Sequence, residues 1–155
     1  MELTDLISPD AVFHGLKSRT KKQALQELAD AAATIVDLPS RDIFDVLLQR
    51  ERLGSTGIGQ GVAIPHGKLG KLDKIHGLFA HLCEPVDFDS VDDEPVDAIF
   101  LLLAPEGAGA DHLKALARIS RLLRDGTVLQ KLRNAHDSAA LYAILTEPAS
   151  SSHAA

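Results

Sequence analysis

Read as a pattern of apolar and polar positions, the chain changes period several times. Ala11 to Leu16 (AVFHGL) is short and β-like. From about Thr20, residues Leu25, Leu28, Ala29, Ala32, Ile35 and Val36 recur at helical spacing, and Pro39 is expected to close that helix. Ser40 is then expected to cap a second helix running to about Leu53, with Ile43, Phe44, Leu47 and Leu48 on its inner face. That helix delivers Arg50, Glu51 and Arg52 beside a glycine-crowded stretch, GSTGIGQGVAIPHGK, from Gly54 to Lys68. Strand candidates follow at Val62 to Ile64, Gly77 to Cys83 and Val96 to Ala104. The last is almost wholly apolar, as a central strand covered on both faces would be. Helix resumes at Ala110 to Arg124, with Leu113, Leu116, Ala117 and Leu123 inward. Gly126 breaks it, and two further helical stretches span about Val128 to Asn134 and Ser138 to Leu145. Helices bracketing a cluster of strands predict an α/β fold, a three-layer domain with a mixed β-sheet flanked by helices.

Composition narrows the function. The 155 residues fit one domain, here 1–148, with 149–155 (Ala149 onward, rich in Ser and Ala) expected as a disordered tail. A net charge of −6 and an aromatic content of 4% argue against nucleic acid as a partner. The densest apolar run, Ala98 to Ala104, is too short to cross a bilayer, and the acidic Glu2 and Asp5 do not suit a signal peptide. The single cysteine, Cys83, suits a reducing cytoplasm and is expected in the core. Lys114, Arg118, Arg121 and Arg124 share one helical face, either simply solvated or available to an acidic protein.

The glycine stretch resembles a phosphate loop without matching one. Counting back from Gly67-Lys68, a P-loop requires glycine where Val62 stands, and Ser or Thr where Leu69 stands. The dinucleotide pattern fails as well. His66 follows Val62-Ala63-Ile64-Pro65, so the strand is expected to end at Pro65 and present the imidazole at its tip. As a general base it would need a G-x-S-x-G serine, and none exists. As a metal ligand it would need a partner at motif spacing, which His76, His81 and His112 do not supply. As a nucleophile it needs in-line positioning and donors for three phosphoryl oxygens. The amides of Gly57, Gly59 and Gly67, the hydroxyls of Ser55 and Thr56, and the Arg50 guanidinium are the candidate donors. His112, after Asp111 at a helix start, is either a capping residue or a further donor.

These residues carry a resemblance. RERLGSTGIGQGVAIPHGKL (Arg50 to Leu69), PVDFDSVDDEPVDAIFLLLAP (Pro85 to Pro105) and HLKALARISRLL (His112 to Leu123) resemble the enzyme IIA domains of the mannitol/fructose class of the bacterial phosphoenolpyruvate:sugar phosphotransferase system. G-S-T-G-I-G and P-H-G-K-L resemble most the nitrogen-type, stand-alone members. The resemblance implies that His66 accepts a phosphoryl group from an HPr-type carrier, that His112 supports the phosphate, and that Arg50 lies near it. It implies no cofactor and no metal. Regulatory partners such as potassium-transport or nitrogen-control proteins follow for a nitrogen-type member, and an enzyme IIB for a detached sugar-specific one.

Overall fold

The computed structural model describes residues 2–148, so the expectation for 149–155 lies outside the described residues. The chain runs α1 (Leu3–Leu6), a 3-10 turn (Pro9–Ala11), β1 (Val12–Leu16), α2 (Lys21–Val36), α3 (Ser40–Leu53), β2 (Gly57–Gly59), β3 (Val62–Ala63) and β4 (His66–Leu69). It continues through β5 (His76–Val86), β6 (Val96–Pro105), α4 (Ala110–Arg124), α5 (Gly126–Asn134) and α6 (Ser138–Leu145). The strands form one mixed sheet in the order β1-β5-β6-β3-β2, with β4 also paired to β6. β1 is parallel to β5, β5 antiparallel to β6, β3 and β4 parallel to β6, and β2 antiparallel to β3.

β6 is the centre of this sheet. Residues Ala98 to Ala104 are buried without exception, which is why seven consecutive apolar positions occur there. α2 and α3 pack on each other and reach the sheet through β5 and β4. The α4–α5–α6 group reaches it through β6 and β1. Neighbouring residues of β4 show that the two groups cover opposite faces. A Cβ on Gly67 would fall 2.3 Å from Val46 Cγ1 on α3. His66, one residue earlier and therefore pointing to the other side, meets His112 of α4. The architecture is the mixed sheet flanked by helices expected from the sequence.

Five local expectations are corrected. Ser40 does not cap α3: Pro39 occupies the cap position, and Ser40 is the first helical residue, its hydroxyl spent on the Asp30 carboxylate of α2. Leu113 does not face inward. It is 69% exposed, and the inner stripe of α4 is His112, Ala115, Ile119 and Leu123. A polar residue at the first inner position made the apolar count favour the neighbouring stripe. The strand before His66 does end short of Pro65, but the imidazole is not left at a strand tip. β3 and β4 lie on the same side of β6 (Val62↔Ala98, Ala63↔Ile99, His66↔Leu102), so the line is interrupted and resumes at His66. Proline has no N–H to give, yet its carbonyl still accepts from Leu102 N at 3.0 Å. Gly126, expected as a breaker, is the first residue of α5, and Asp125 caps that helix by accepting from Thr127 N and Val128 N. Cys83 is exposed rather than buried, its thiol donating to Gly15 O at 3.2 Å.

The α3–β4 contact depends on the missing side chain at position 67. Gly67→Ala is expected to destabilise the protein by about 1–3 kcal/mol in urea unfolding, through overpacking against Val46. The double variant Gly67→Ala/Val46→Ala is expected to recover part of that loss; equal losses in both would remove the steric explanation.

A histidine pair in a cation-lined cleft

The break at Ile64-Pro65 shapes the site. Ile64 N bonds sideways to Thr56 O at 3.0 Å. Its carbonyl lies 2.9 Å from His66 Nδ1. A carbonyl can only accept, so Nδ1 carries the proton and Nε2 holds the free lone pair. On that side Arg50 Nε–H donates to Nε2 at 3.2 Å. Arg50 stands in the last turn of α3, and its Nη1 donates to Gly54 O at 2.8 Å, which holds the guanidinium at the helix end. The imidazole is thus oriented through both nitrogens.

His112 enters from α4. Its ring centroid lies 5.6 Å from that of His66 with the planes at 70°. The side chain is 6% exposed, and among the described residues its Nε2 has no hydrogen-bond partner. A buried imidazole nitrogen left unpaired costs about 1–3 kcal/mol. His66, His112, Arg50 and Gly67 line one cleft of about 630 Å³, together with Arg52, Leu53 and Lys68. That lining brings three cations and no carboxylate.

Burial is the main cause that lowers the pKa of both histidines. At His66 the Ile64 carbonyl acts against it, while the Arg50 charge lowers the pKa further. At His112 the positive forms of His66 and Lys68 add to burial. Both rings are therefore neutral at pH 7, and the Nε2 lone pair of His66 is available.

The sequence expected Ser55, Thr56, Gly57 and Gly59 in the same cradle, and the structure engages them elsewhere. Thr56 N and Oγ1 both donate to the Glu51 carboxylate. Ser55 Oγ donates to Phe88 O and accepts from Gly57 N. A Cβ on Gly57 would sit 2.2 Å from Ser90 Oγ, and Gly59, at φ +102°, lies against the Asp92 carboxylate. These two glycines let the β5–β6 connection come close to β2, and their stretch is not wrapped around His66. Of the expected donors, Arg50, His112 and Gly67 converge on His66.

Glu51 is the residue whose part the sequence did not reveal. It is buried, accepts twice from Thr56, and pairs with Lys21 Nζ at 2.9 Å. It anchors the start of the glycine stretch directly behind Arg50. The only sequence signal was an acidic residue between two arginines, which reads equally well as surface charge. His76 and His81 lie on β5, apart from the pair. Among the described residues no group of three or more His, Cys, Asp and Glu is placed to hold a metal ion.

A histidine at the start of β4, with a second histidine beside it on α4 and an arginine against its ring, is an arrangement suited to phosphoryl exchange between proteins. Residues 5–147 match the family described as "Phosphoenolpyruvate-dependent sugar phosphotransferase system, EIIA 2", and the chain belongs to that family. Within it, the chain is 61% identical over 148 residues to the "Nitrogen regulatory protein" of Bradyrhizobium diazoefficiens, covering 96% of this chain and 97% of that one. It is also similar to the crystal structure of "Nitrogen Regulatory Protein IIA-Ntr" from Neisseria meningitidis. The TM-score is 0.88 at 33% identity, over 93% of this chain and 99% of that one. The IIA mannitol structure from Escherichia coli shares the fold, with a TM-score of 0.76 at 20% identity over 89% and 97% of the two chains.

Lowered histidine pKa values fix the sign of the pH response. The unfolded chain binds protons near pH 6.5 that the folded chain refuses, so stability falls as pH drops below about 6.5. Urea midpoints are expected to decrease between about pH 7.5 and 5.5. The decrease should be smaller in His66→Asn/His112→Asn. An identical pH dependence in that variant would assign the effect to other groups.

Proposed function

We propose that this chain is a phosphocarrier that accepts a phosphoryl group on Nε2 of His66 from the phosphohistidine of an HPr-type protein, and that its phosphorylation state governs which regulatory proteins it binds. The observation that carries this reading is the fixed tautomer: Nδ1–H is held by Ile64 O, and Nε2 faces Arg50, with the His112 ring 5.6 Å away between centroids.

In the transfer, the Nε2 lone pair forms a bond to phosphorus while the donor's N–P bond breaks, and the bonding electrons remain on the donor nitrogen. His66 keeps its Nδ1 proton and acquires imidazolium character, which the Ile64 carbonyl stabilises. Arg50 leaves Nε2 and donates to the incoming phosphoryl oxygens. His112, in its Nε2–H tautomer, donates to another. The step needs positioning and charge neutralisation more than covalent chemistry, which suits a site built from three side chains and one carbonyl. The product carries roughly two additional negative charges at a protein surface, enough to exchange one set of partners for another. The donors and regulators expected for this role act in the cytoplasm. Among the described residues no helix is long and apolar enough to cross a membrane.

The similarity to nitrogen regulatory proteins supports a regulatory destination for the phosphoryl group, with nitrogen-control and potassium-transport proteins as the partners to try first. Incubation with phosphoenolpyruvate, enzyme I and either HPr or its nitrogen-type counterpart is expected to give one acid-labile phosphate per chain. His66→Ala should abolish it, and label persisting in that variant would refute the assignment. His112→Ala is expected to slow transfer about 100-fold, as loss of a transition-state donor does. Onward transfer to a sugar-specific enzyme IIB would instead assign the sugar-carrying role.

A further inference from the structure

The surface around the cleft has a composition the chain as a whole does not share. The net charge is −6, yet the cleft lining offers Arg50, Arg52 and Lys68 and no carboxylate. α4 extends this surface outward. Opposite its buried stripe it exposes Leu113, Lys114, Ala117, Arg121 and Arg124, starting at the residue after His112. Among the described residues, Arg52, Lys68, Lys114, Arg121 and Arg124 form no ion pair, whereas Arg118, just off this stripe, pairs with Glu2. The carboxylates are concentrated elsewhere, most densely in the β5–β6 connection at Asp87, Asp89, Asp92, Asp93 and Glu94.

The apolar residues are placed as selectively. Among the described residues, three large hydrophobic side chains are strongly exposed, Leu53 at 85%, Val91 at 80% and Leu113 at 69%. Of these, Leu53 lines the cleft from the end of α3, and Leu113 is the residue after His112 on α4. Solvated helix faces do not require leucines, and unpaired cations around apolar anchors form the usual plan of a transient interface with a polar rim.

We infer that this face docks a phosphohistidine carrier whose own active-site surface is apolar at its centre and acidic at its rim, and that it discriminates against carriers with a basic rim. The inference rests on the phosphocarrier reading and names the donor's chemistry. Leu53 and Leu113 make the dry contact. Arg52, Lys68, Lys114, Arg121 and Arg124 supply the complementary charge. A partner with a basic rim would set like charges against unpaired cations, a repulsion that lowers the encounter rate most at low salt.

The test uses one purified HPr-type carrier bearing carboxylates around its histidine, and a variant of it with those carboxylates replaced by lysine. Both are phosphorylated with phosphoenolpyruvate and enzyme I. With the acidic carrier, kcat/KM for labelling His66 is expected to fall about tenfold as NaCl rises from about 20 to 300 mM. In Lys114→Glu/Arg121→Glu it is expected to fall a further fivefold or more at low salt, about 1 kcal/mol at 1.36 kcal/mol per tenfold. The lysine carrier should label the wild type poorly and regain rate with the double variant. Leu53→Ala/Leu113→Ala should raise KM with little change in kcat. Circular dichroism melting is expected to show all variants folded, since every substituted side chain is exposed. Transfer indifferent to salt and to both charge reversals would overturn the inference while leaving the phosphocarrier reading standing. Absence of His66 labelling by either carrier would overturn both. Sedimentation showing a dimer that Leu53→Ala/Leu113→Ala dissolves would assign the face to a second copy of this chain and overturn the carrier assignment.

Discussion

The hydrogen bond between His66 Nδ1 and the Ile64 carbonyl is the constraint on which the site depends, and it exists because Pro65 interrupts a strand. In an unbroken parallel ladder the carbonyl of residue 64 would be committed to β6. With proline next in line the ladder skips, Ile64 N turns to Thr56, and Ile64 O turns to the ring two residues ahead. One missing N–H thereby selects a tautomer, and the tautomer selects the nitrogen left free for Arg50 and for chemistry. The sheet resumes at once, so His66 is mounted on β4 and inherits the rigidity of the buried β6 beside it.

Around this bond the fold assembles parts from distant segments. α3 can approach β4 because position 67 has no side chain, and that approach carries Arg50 to the imidazole. Glu51, the next residue, turns inward and ties Lys21 of α2 and the Thr56 backbone and hydroxyl into one buried network. α4 contributes from the other face, with His112 in the inner position that a leucine would otherwise fill. The cleft lies where the ends of α3, β4 and α4 meet, so its cations have no acidic neighbour among its lining residues.

The architecture was legible in the sequence wherever periodicity had a physical cause strong enough to dominate. Total burial of β6 wrote the apolar run from Ala98 to Ala104. The long helices declared themselves through spacing and boundaries, and Ala110 and Arg124 are the observed ends of α4. His66 was legible through its neighbours, and the family resemblance extended that to His112 and Arg50. The glycine stretch was misread in its details. Close backbone approach is what its glycines permit, but at Gly57 and Gly59 the approaching atoms belong to Ser90 and Asp92, each 33 residues ahead, a contact no local pattern encodes. The register of α4 was missed for a related reason. Counting apolar residues favoured Leu113, whereas the inner stripe begins with a histidine. Glu51 was invisible because a buried carboxylate with three satisfied contacts reads, in one dimension, like any charge on a helix.

The double tethering of the His66 ring also has a consequence in time. A surface histidine samples its rotamers on the scale of picoseconds to nanoseconds, and must lose that freedom each time it attacks. Here the loss has already occurred, during folding, and is met by hydrogen bonds that the resting protein keeps. A transfer between two imidazoles exchanges one N–P bond for another, so its equilibrium lies near balance and small differences in surroundings decide its direction. A nucleophile that needs no reordering on arrival is equally ready when the group departs. On the phosphocarrier reading proposed above, the strand break at Pro65 would favour passage in either direction and make the chain a reversible junction.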